Sequence, residues 1–444
     1  MNGGTMKETR KANPILNNQY HVSLNLNVRG LQESATLAIN EQANRLIRQQ
    51  KRVYKLGLGQ SPFPVPQVVQ EALRQNSHQK DYLPVQGLQA LREAVAHYHS
   101  KHDCGHFNPD SVLIGPGSKE LMFLLQISYY GDLVIPTPCW VSYSPQALII
   151  GRPVVSISTS FENGWHLQPE QLRELCERDP GRPRLVILNY PGNPEGGTYS
   201  RKTLEEIAEI AREFDIILLS DEIYGQLSHS GEHISIARFY PEGTIVSSGL
   251  SKWCGAGGWR LGTFVFPESL KWLQNAMAAV ASETFTSTSA PIQYAAVRAF
   301  EGGMEIERYL AHSRRILARL GNWAAARFRE AGARVDSPQG AFYLFPDFTP
   351  VADKFISNNI PTSSELCRRA LEESGVAFLP GSAFGRPEEE LTVRIAYVDF
   401  DGSRALAASE RIPLDQDIGD EFMEIYCHNT KKGIDLLCEW VDSL

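Results

Sequence analysis

The stretch SSGLSKWCGAGGWRLG, residues 247–262, places a lysine and an arginine eight positions apart across a glycine-rich loop. The amine of Lys252 can form an imine with a carbonyl group, and the guanidinium of Arg260 can bind a phosphate through two parallel N–H bonds. Apolar residues predict a strand before the loop, at 244–248, and another after it, at 261–266. The stretch therefore predicts a ligand with a reactive aldehyde and a phosphate ester, and pyridoxal 5′-phosphate carries both.

Two apolar runs upstream end in polar residues. The run 184–189 (RLVILN) leads into NYPGNPEGG, which contains Asn193, and the run 216–220 (IILLS) ends at Asp221. Continuous apolar runs of this length are typical of parallel strands buried on both faces, and open parallel sheets bind ligands at the carboxyl ends of their strands. Asp221 can pair with a pyridine nitrogen there, although an aspartate at this point can also cap a helix.

A third segment, VLIGPGSKE at 112–120, runs from a predicted strand through a glycine turn into a predicted helix. Backbone N–H groups at a helix amino terminus favour an anion, so Gly117, Ser118 and Lys119 are candidates for binding a phosphate. The order Gly-Ser-Lys reverses the Walker pattern, and GAGGWRLG lacks the dinucleotide pattern because its sixth position is Arg260. Both facts argue against a plain nucleotide-binding protein.

Together these segments resemble the class I/II aminotransferases, which are fold-type-I pyridoxal-phosphate enzymes. The resemblance extends over roughly residues 30–400 and includes the block YLPVQGLQALREAV at 82–95. It implies an α/β fold: a large domain with a mainly parallel sheet flanked by helices, and a smaller α+β domain built from both chain ends. The expected division is 1–59 for an amino-terminal arm and part of the small domain, 60–302 for the large cofactor-binding domain, and 303–444 for the small domain.

The resemblance also implies roles for single residues. Lys252, Asp221 and Tyr224 would be catalytic, with Lys252 as the cofactor lysine and general base. The cofactor would contact Lys252, Arg260, Asn193, Asp221, Tyr224, Trp140, Ser118, Lys119, Gly117, Ser251 and Tyr82. The substrate would contact Arg394, Asn193 and Gly59. Arg394, in the context VRIA, would bind the α-carboxylate, and Arg386 is its nearest rival. A strand arginine or a buried tryptophan is often only structural, so each role is a prediction.

Tyr82 implies a homodimer, because in similar enzymes this tyrosine reaches the cofactor phosphate of the neighbouring subunit. The chain departs from the family pattern at Gly249, three positions before the lysine, where a phosphate-binding serine is usual. Ser248 or Ser251 can substitute for that serine, or the phosphate can depend more on Arg260 and the Gly117 turn.

The expected substrates are an L-amino acid and a 2-oxo acid. Dicarboxylate-specific members use a second arginine from the partner subunit, and residues 275–290 contain neither Arg nor Lys. A neutral or aromatic donor is therefore slightly favoured. Two alternatives stay open: a β- or γ-elimination enzyme of the same fold, and a regulatory protein that retains the cofactor without turnover.

The composition limits partners and location. With 43 basic and 51 acidic side chains the net charge is −8, and no basic block is present, which argues against nucleic acid or an anionic membrane as a partner. Seven dispersed cysteines without C-x-x-C spacing, no visible signal peptide and no long apolar run predict a reducing, cytoplasmic location. The cluster of histidines and Cys104 at 97–106 has no closed metal-site spacing, so no metal is predicted.

Three further elements are expected outside these motifs. Ser34 is predicted to cap a helix that extends to residue 50, and 53–59 is predicted to form a short strand. The carboxy-terminal stretch 421–444 shows helical spacing, and Gly433 is expected to interrupt it.

Overall fold

The computed structural model describes residues 24–31, 33–101 and 107–444. The α-helices in these ranges are α1 (Ala35–Arg48), α2 (Gln67–Asn76), α3 (Gln89–Lys101), α4 (Ser118–Ser128), α5 (Tyr143–Ile149), α6 (Pro169–Arg178), α7 (Arg201–Glu213), α8 (Lys271–Thr284), α9 (Ala290–Glu301), α10 (Met304–Glu330), α11 (Ala352–Ser357), α12 (Ser363–Glu373), α13 (Gly402–Ser409), α14 (Gly419–Tyr426) and α15 (His428–Ser443). The strands are β1 (Tyr54–Lys55), β2 (Val112–Gly115), β3 (Asp132–Thr137), β4 (Val154–Ser158), β5 (Arg184–Asn189), β6 (Ile217–Asp221), β7 (Thr244–Gly249), β8 (Gly262–Val265), β9 (Tyr343–Leu344), β10 (Val376–Ala377), β11 (Leu379–Pro380) and β12 (Val393–Ala396).

The central sheet has seven strands in the order β2-β8-β7-β6-β5-β3-β4. The strands β3 to β7 run parallel, while β8 is antiparallel to both β7 and β2. Helices cover both faces, as the continuous apolar runs of β5 and β6 require. The predicted α/β fold with a mainly parallel sheet is confirmed.

The register of the parallel strands places polar residues side by side at one edge. Asn189 at the end of β5 lies opposite Asp221 at the end of β6, and Asp221 lies opposite Ser247 on β7. The chain then leaves β7 into the loop that carries Lys252. The sheet therefore delivers three predicted segments to the same place.

Amphipathic helices fix the sheet in the core. On α7, Ser200 caps the amino terminus through Thr203 N, and the buried positions Leu204 and Ile207 pack against the sheet with α6. Burial of each of these side chains contributes about 1.5–3 kcal/mol relative to exposure. On the other face, α4 and α8 pack against the sheet.

Two smaller sheets join distant parts of the chain. Strand β1 pairs in parallel with β10, where Tyr54 lies opposite Val376, and β11, β12 and β9 form an antiparallel sheet. One buried cluster continues from β1 to the end of α15. Both chain ends therefore contribute to the same packed unit.

Two sequence predictions need correction. The predicted strand at 53–59 is ordered as a strand only over Tyr54–Lys55. The carboxy-terminal helix breaks at Cys427, between α14 and α15, and continues through Gly433. Gly433 serves close packing instead, because a Cβ at this position would lie 2.9 Å from Tyr54 Cβ on β1.

The histidine-rich segment lies partly outside the described residues, which exclude His102, Cys104 and His106. Of its described members, His97 is exposed and His99 is buried on α3. Within the described ranges no three His, Cys, Asp or Glu side chains are placed to hold a metal ion. No helix in those ranges has both the length and the apolar composition for crossing a bilayer.

We predict that Gly433→Ala destabilises the protein, because the new methyl group forces α15 away from β1. The cost of overpacking, about 1–3 kcal/mol, exceeds the gain of up to about 1 kcal/mol from replacing a helical glycine. Thermal unfolding should show a melting temperature lower by a few degrees. The control is Gly181→Ala, because a Cβ there meets no atom within 4 Å; equal melting temperatures for the two variants would contradict the packing argument.

Candidate active site

A cavity of about 460 Å³ opens at the carboxyl ends of β5, β6 and β7. Most of the residues singled out by the sequence line it: Gly59, Ser118, Lys119, Trp140, Asn193, Asp221, Tyr224, Ser251, Lys252, Arg260 and Arg394. Gly117 lies directly behind the lining, against the guanidinium of Arg260. Tyr82 lies elsewhere and is 89% exposed in the single chain.

Lys252 lies in the loop after β7 and is partly buried. Its Nζ donates a hydrogen bond to the carbonyl oxygen of Gly59 at 2.7 Å and lies 5.5 Å from the centroid of the Tyr224 ring. No ion pair joins it to a carboxylate in the described part of the chain. The amine is therefore available to a ligand in the cavity.

Asp221 supplies a buried carboxyl group to the floor of the cavity, and only 3% of the residue is exposed. The Tyr143 hydroxyl donates to Oδ2 at 2.6 Å, and Ser247 Oγ donates to Oδ1 at 3.4 Å. Burial raises the pKa of Asp221 to about 6, while these two hydrogen bonds act in the opposite direction. The group is thus mainly ionised at neutral pH, and a cationic partner in the cavity would stabilise it.

Another part of the cavity lining lies at the start of α4. Gly117 is the N-cap with φ 94°, and it provides no side-chain cap for the first N–H groups. The guanidinium of Arg260 packs against this glycine, and Lys119 Nζ lies 5.3 Å from the centroid of the Trp140 ring. Burial and the neighbouring Arg260 lower the pKa of Lys119. Two cations and a helix amino terminus favour a doubly charged anion such as a phosphate ester.

Arg394 lies on β12 and is 1% exposed. Its Nη1 donates to Asn193 Oδ1 at 3.0 Å, and its guanidinium lies 4.8 Å from the ring centroid of Tyr343. Its Nε is buried without a hydrogen-bond partner in the described chain. Arg386, by contrast, binds Glu390 through Nε at 2.7 Å and does not line the cavity. The structure therefore brings Arg394, and not its rival, to the site.

Sequence reasoning missed two tyrosines that support the site and the contribution of α1 to the cavity lining. Tyr143 bonds Asp221, and the Tyr343 hydroxyl lies 2.8 Å from that of Tyr224. Both tyrosines occur in segments that resemble the family, WVSY and GAFYLFPDF, but they contact residues 78 and 119 positions away. The amino-terminal end of α1 also reaches the cavity, through Ser34, Thr36 and Leu37.

Gly249 occupies a tight position at the end of β7, opposite Gly262 on β8. A Cβ at residue 249 would lie 2.7 Å from the carbonyl oxygen of Leu261. Of the two serines proposed as substitutes, Ser251 lines the cavity, whereas Ser248 faces a different pocket. Phosphate binding here would therefore depend on Ser251, Arg260 and the turn at Gly117.

Comparisons with known proteins agree with this geometry. The family model for aminotransferase class I and II matches residues 51–408. The chain is 34% identical to an aspartate aminotransferase of Bacillus sp. (strain YM-2), over 83% of this chain and 93% of the relative. It is 32% identical to an asparagine–oxo-acid transaminase of Streptococcus mutans, over 83% and 92%. Among solved structures, an aspartate aminotransferase of Thermus thermophilus with maleate superposes with a TM-score of 0.80 at 28% identity, covering 94% of this chain and 99% of that one.

We predict that Gly249→Ser lowers stability without restoring a serine contact, because the Cβ collides with the backbone of β8. An overpacked buried position costs about 1–3 kcal/mol, so the melting temperature should fall by several degrees. Gly258→Ser is the matched control in the same loop, since a Cβ there meets no atom within 4 Å. A Gly249→Ser protein as stable as this control would show that the two strands can separate at no cost.

Proposed function

The chain belongs to the class I and II aminotransferases and is a pyridoxal-phosphate-dependent aminotransferase, and we propose that the cavity around Lys252 is its catalytic site. The observation that carries this proposal is the joint placement of Lys252, the buried carboxylate of Asp221 and the anion-binding end at Arg260 around one cavity of about 460 Å³.

The lining residues fit the cofactor at each of its groups. Ser118, Lys119, Ser251 and Arg260 would hold the phosphate, where the uncapped start of α4 adds its dipole. Asp221, whose buried charge has no cationic partner within the described chain, would bind the pyridine nitrogen and keep it protonated. When bound, pyridoxal phosphate supplies an aldehyde that condenses with amines and a ring that withdraws electrons from the substrate Cα.

The pyridine ring of the cofactor would be positioned by Trp140, Asn193 and Tyr224. Trp140 would stack on the ring, since it lines the cavity beside Lys119. Asn193 and Tyr224 would hydrogen-bond the phenolic oxygen. The Tyr224 hydroxyl is already held by Tyr343 at 2.8 Å, which fixes its direction before a ligand arrives.

Lys252 would move the proton at the substrate Cα. Among the described residues its Nζ hydrogen-bonds just one group, the backbone carbonyl of Gly59, at 2.7 Å, and this neutral partner leaves the amine free to exchange protons. The aromatic rings of Tyr224 and Phe342 lie 5.5 and 5.8 Å from Nζ and limit the directions open to it. The lysine amine is therefore held beside these two rings and the Gly59 carbonyl group.

Arg394 would bind the α-carboxylate of the substrate. Tyr343 and Phe384 flank its guanidinium at 4.8 and 4.9 Å, so its plane is fixed, and the unpaired Nε offers a donor. A carboxylate bound there would receive charge-assisted hydrogen bonds in a dry environment, which are about twice as strong as neutral ones. Arg394 would thus set the orientation of the bond that breaks.

Two expectations for the amino donor compete. The absence of a basic residue from 275–290 favours a neutral or aromatic donor. The names of similar proteins, aspartate aminotransferase and asparagine–oxo-acid transaminase, favour aspartate or its amide. We propose aspartate as the first donor to test, because several of the similar proteins are named for it.

We also propose a homodimer, the domain division 1–59, 60–302 and 303–444, and a cytoplasmic location. The large exposure of Tyr82 supports a role in a partner's site, and the β1–β10 pairing supports a small domain built from both chain ends. The described cysteines, which are all free, support a reducing compartment.

The proposed function predicts that Lys252→Ala abolishes turnover and the visible absorption of the bound cofactor. The purified wild-type protein should show that absorption, and adding amino acids one at a time should change it only with true donors, in a keto-acid-dependent cycle. Lys271→Ala is the control, because Lys271 bonds the Asp110 carbonyl oxygen away from the cavity. Full activity in Lys252→Ala, or ammonia release without a keto acid, would overturn the assignment.

For Tyr143→Phe we expect the acid limb of the kcat/KM profile to move to higher pH. The Tyr143 hydrogen bond lowers the pKa of Asp221, so its loss raises that pKa and protonates the carboxylate at higher pH. Loss of a hydrogen bond to a charged group, about 1.5–3 kcal/mol, predicts roughly tenfold or more lower activity near pH 6. Asp221→Asn should turn over slowly at every pH. The pH profile of Tyr129→Phe should match that of wild type, because the Tyr129 hydroxyl donates to Arg184 O and not to Asp221. An unshifted limb in Tyr143→Phe would remove this role.

A further inference from the structure

A second cavity, of about 270 Å³, lies between the segments 164–166, 195–197 and 335–339. It shares no lining residue with the cavity around Lys252. Its titratable and aromatic lining residues are Glu195, Asp336, His166, Trp165 and Phe345. The rings of Trp165 and Phe345 meet edge to face, with centroids 5.5 Å apart. The proposed reaction assigns no role to any of these side chains.

Neither of the two carboxyl groups of this cavity takes part in a salt bridge in the described chain. Within the described chain, no ion pair joins Glu195 or Asp336 to a basic side chain. The nearby arginines are engaged elsewhere: Arg334 binds Asp347 and Glu162, and Arg386 binds Glu390. Arg329 acts on Asp336 only through space, since its Nη1 donates to the Val335 carbonyl oxygen at 3.0 Å. The cavity therefore offers two acidic groups without a salt bridge in the described chain.

His166 adds a neutral acceptor to the same cavity. Its Nε2 is buried and has no hydrogen-bond partner in the described chain. Burial lowers the pKa of His166 to about 4, so the imidazole is uncharged near neutral pH and does not repel a cation. The ring packs on Tyr199, with centroids 4.5 Å apart, which holds it in place. An unpaired, fixed ring nitrogen is suited to accept an N–H bond from a ligand.

The cavity wall is held in place by hydrogen bonds between its segments. The carbonyl oxygen of Gly196 accepts bonds from Gln339 N at 2.8 Å and Gly340 N at 3.1 Å, and Gln339 Oε1 accepts from Thr198 N at 2.9 Å. The Glu195 carboxyl group lies directly against the backbone of Gly192, where a Cβ would overlap it. The acidic group is thus positioned before any ligand binds.

We propose that this second cavity binds a small organic cation bearing N–H donors, of the guanidinium class, between Glu195, Asp336 and His166. A guanidinium group donates two parallel bonds to a carboxylate and packs against aromatic rings. Trp165 already takes part in such a contact, because the guanidinium of Arg386 lies 5.0 Å from its ring centroid. The volume lies below the roughly 300–1,000 Å³ of drug-sized pockets, which limits the ligand to a few heavy atoms beyond its charged group.

Protonation of Glu195 gives this site a pH dependence. Burial raises the pKa of Glu195 to about 8, so without a cation the group is mainly protonated at pH 7. A bound cation favours the ionised form, so binding at pH 7 releases a proton and tightens as the pH rises from 6 to 8.5. The other groups that interact with Glu195 electrostatically are Cys139 and Tyr199, whose pKa values burial raises, so both stay neutral in this range. Asp336, across the cavity, also has a raised pKa because of burial, partly offset by Arg329.

The test is calorimetric titration of the holoenzyme with methylguanidinium, which lacks the primary amine that would condense with the cofactor. Methylurea, similar in shape but uncharged, is the matched ligand. Glu195→Gln and Asp336→Asn remove one carboxyl group each with little change in shape. Glu162→Gln removes a nearby carboxyl group that does not line the cavity. Titrations in buffers of different ionisation enthalpy measure the proton release.

We expect one methylguanidinium per chain, at least tenfold weaker binding of methylurea, and at least tenfold weaker methylguanidinium binding in Glu195→Gln and Asp336→Asn. Glu162→Gln should stay within twofold of wild type, and affinity should rise with pH in wild type and not in Glu195→Gln. Absence of binding up to 50 mM, equal binding of methylurea, or unchanged affinity in Glu195→Gln and Asp336→Asn would each overturn the proposal.

Discussion

The buried negative charge of Asp221 is the constraint on which the rest of the site depends. A carboxylate that is 3% exposed is costly unless it is bonded and paired. Within the described chain it is hydrogen-bonded by the Tyr143 and Ser247 hydroxyl groups and the Ile223 backbone, and it forms no ion pair. The parallel register of β5, β6 and β7 brings this charge to the edge of the sheet beside Asn189 and Ser247. A cofactor with a protonated ring nitrogen would supply the positive charge that Asp221 lacks within the described chain.

The part of the cavity proposed to hold the phosphate depends on close approach of backbones more than on side chains. A Cβ on Gly117 would collide with Arg260, one on Gly262 with the start of α4, and one on Gly249 with Leu261. These glycines allow β7, β8 and the turn before α4 to converge, so that the Arg260 guanidinium lies next to the uncapped helix terminus. The missing serine at 249 is consistent with this packing, because that position has little room for a side chain.

The loop between β5 and α7 connects the two cavities. Asn193 lines the first and bonds Arg394, while Glu195, two residues later, lines the second. Gly196, between the second cavity and the segment 338–340, bonds the backbone that leads to Tyr343. A ligand in the second cavity would therefore contact a loop that also forms a wall of the proposed catalytic site.

The sequence by itself determined the mainly parallel sheet, the bounds of β5, and the polar residues at the strand ends, because those features depend on local apolar runs and on short motifs. The cofactor followed from the same motifs. Only the tertiary structure decided that Arg394 rather than Arg386 lines the cavity, that Tyr143 supports Asp221, and that Gly433 packs on β1 instead of ending a helix. The sequence predicted a strand at 53–59, but only the structure limited it to β1 and paired it with β10. Each of these features depends on contacts between segments that are far apart in the chain. Local sequence patterns do not specify which distant residues a side chain will contact.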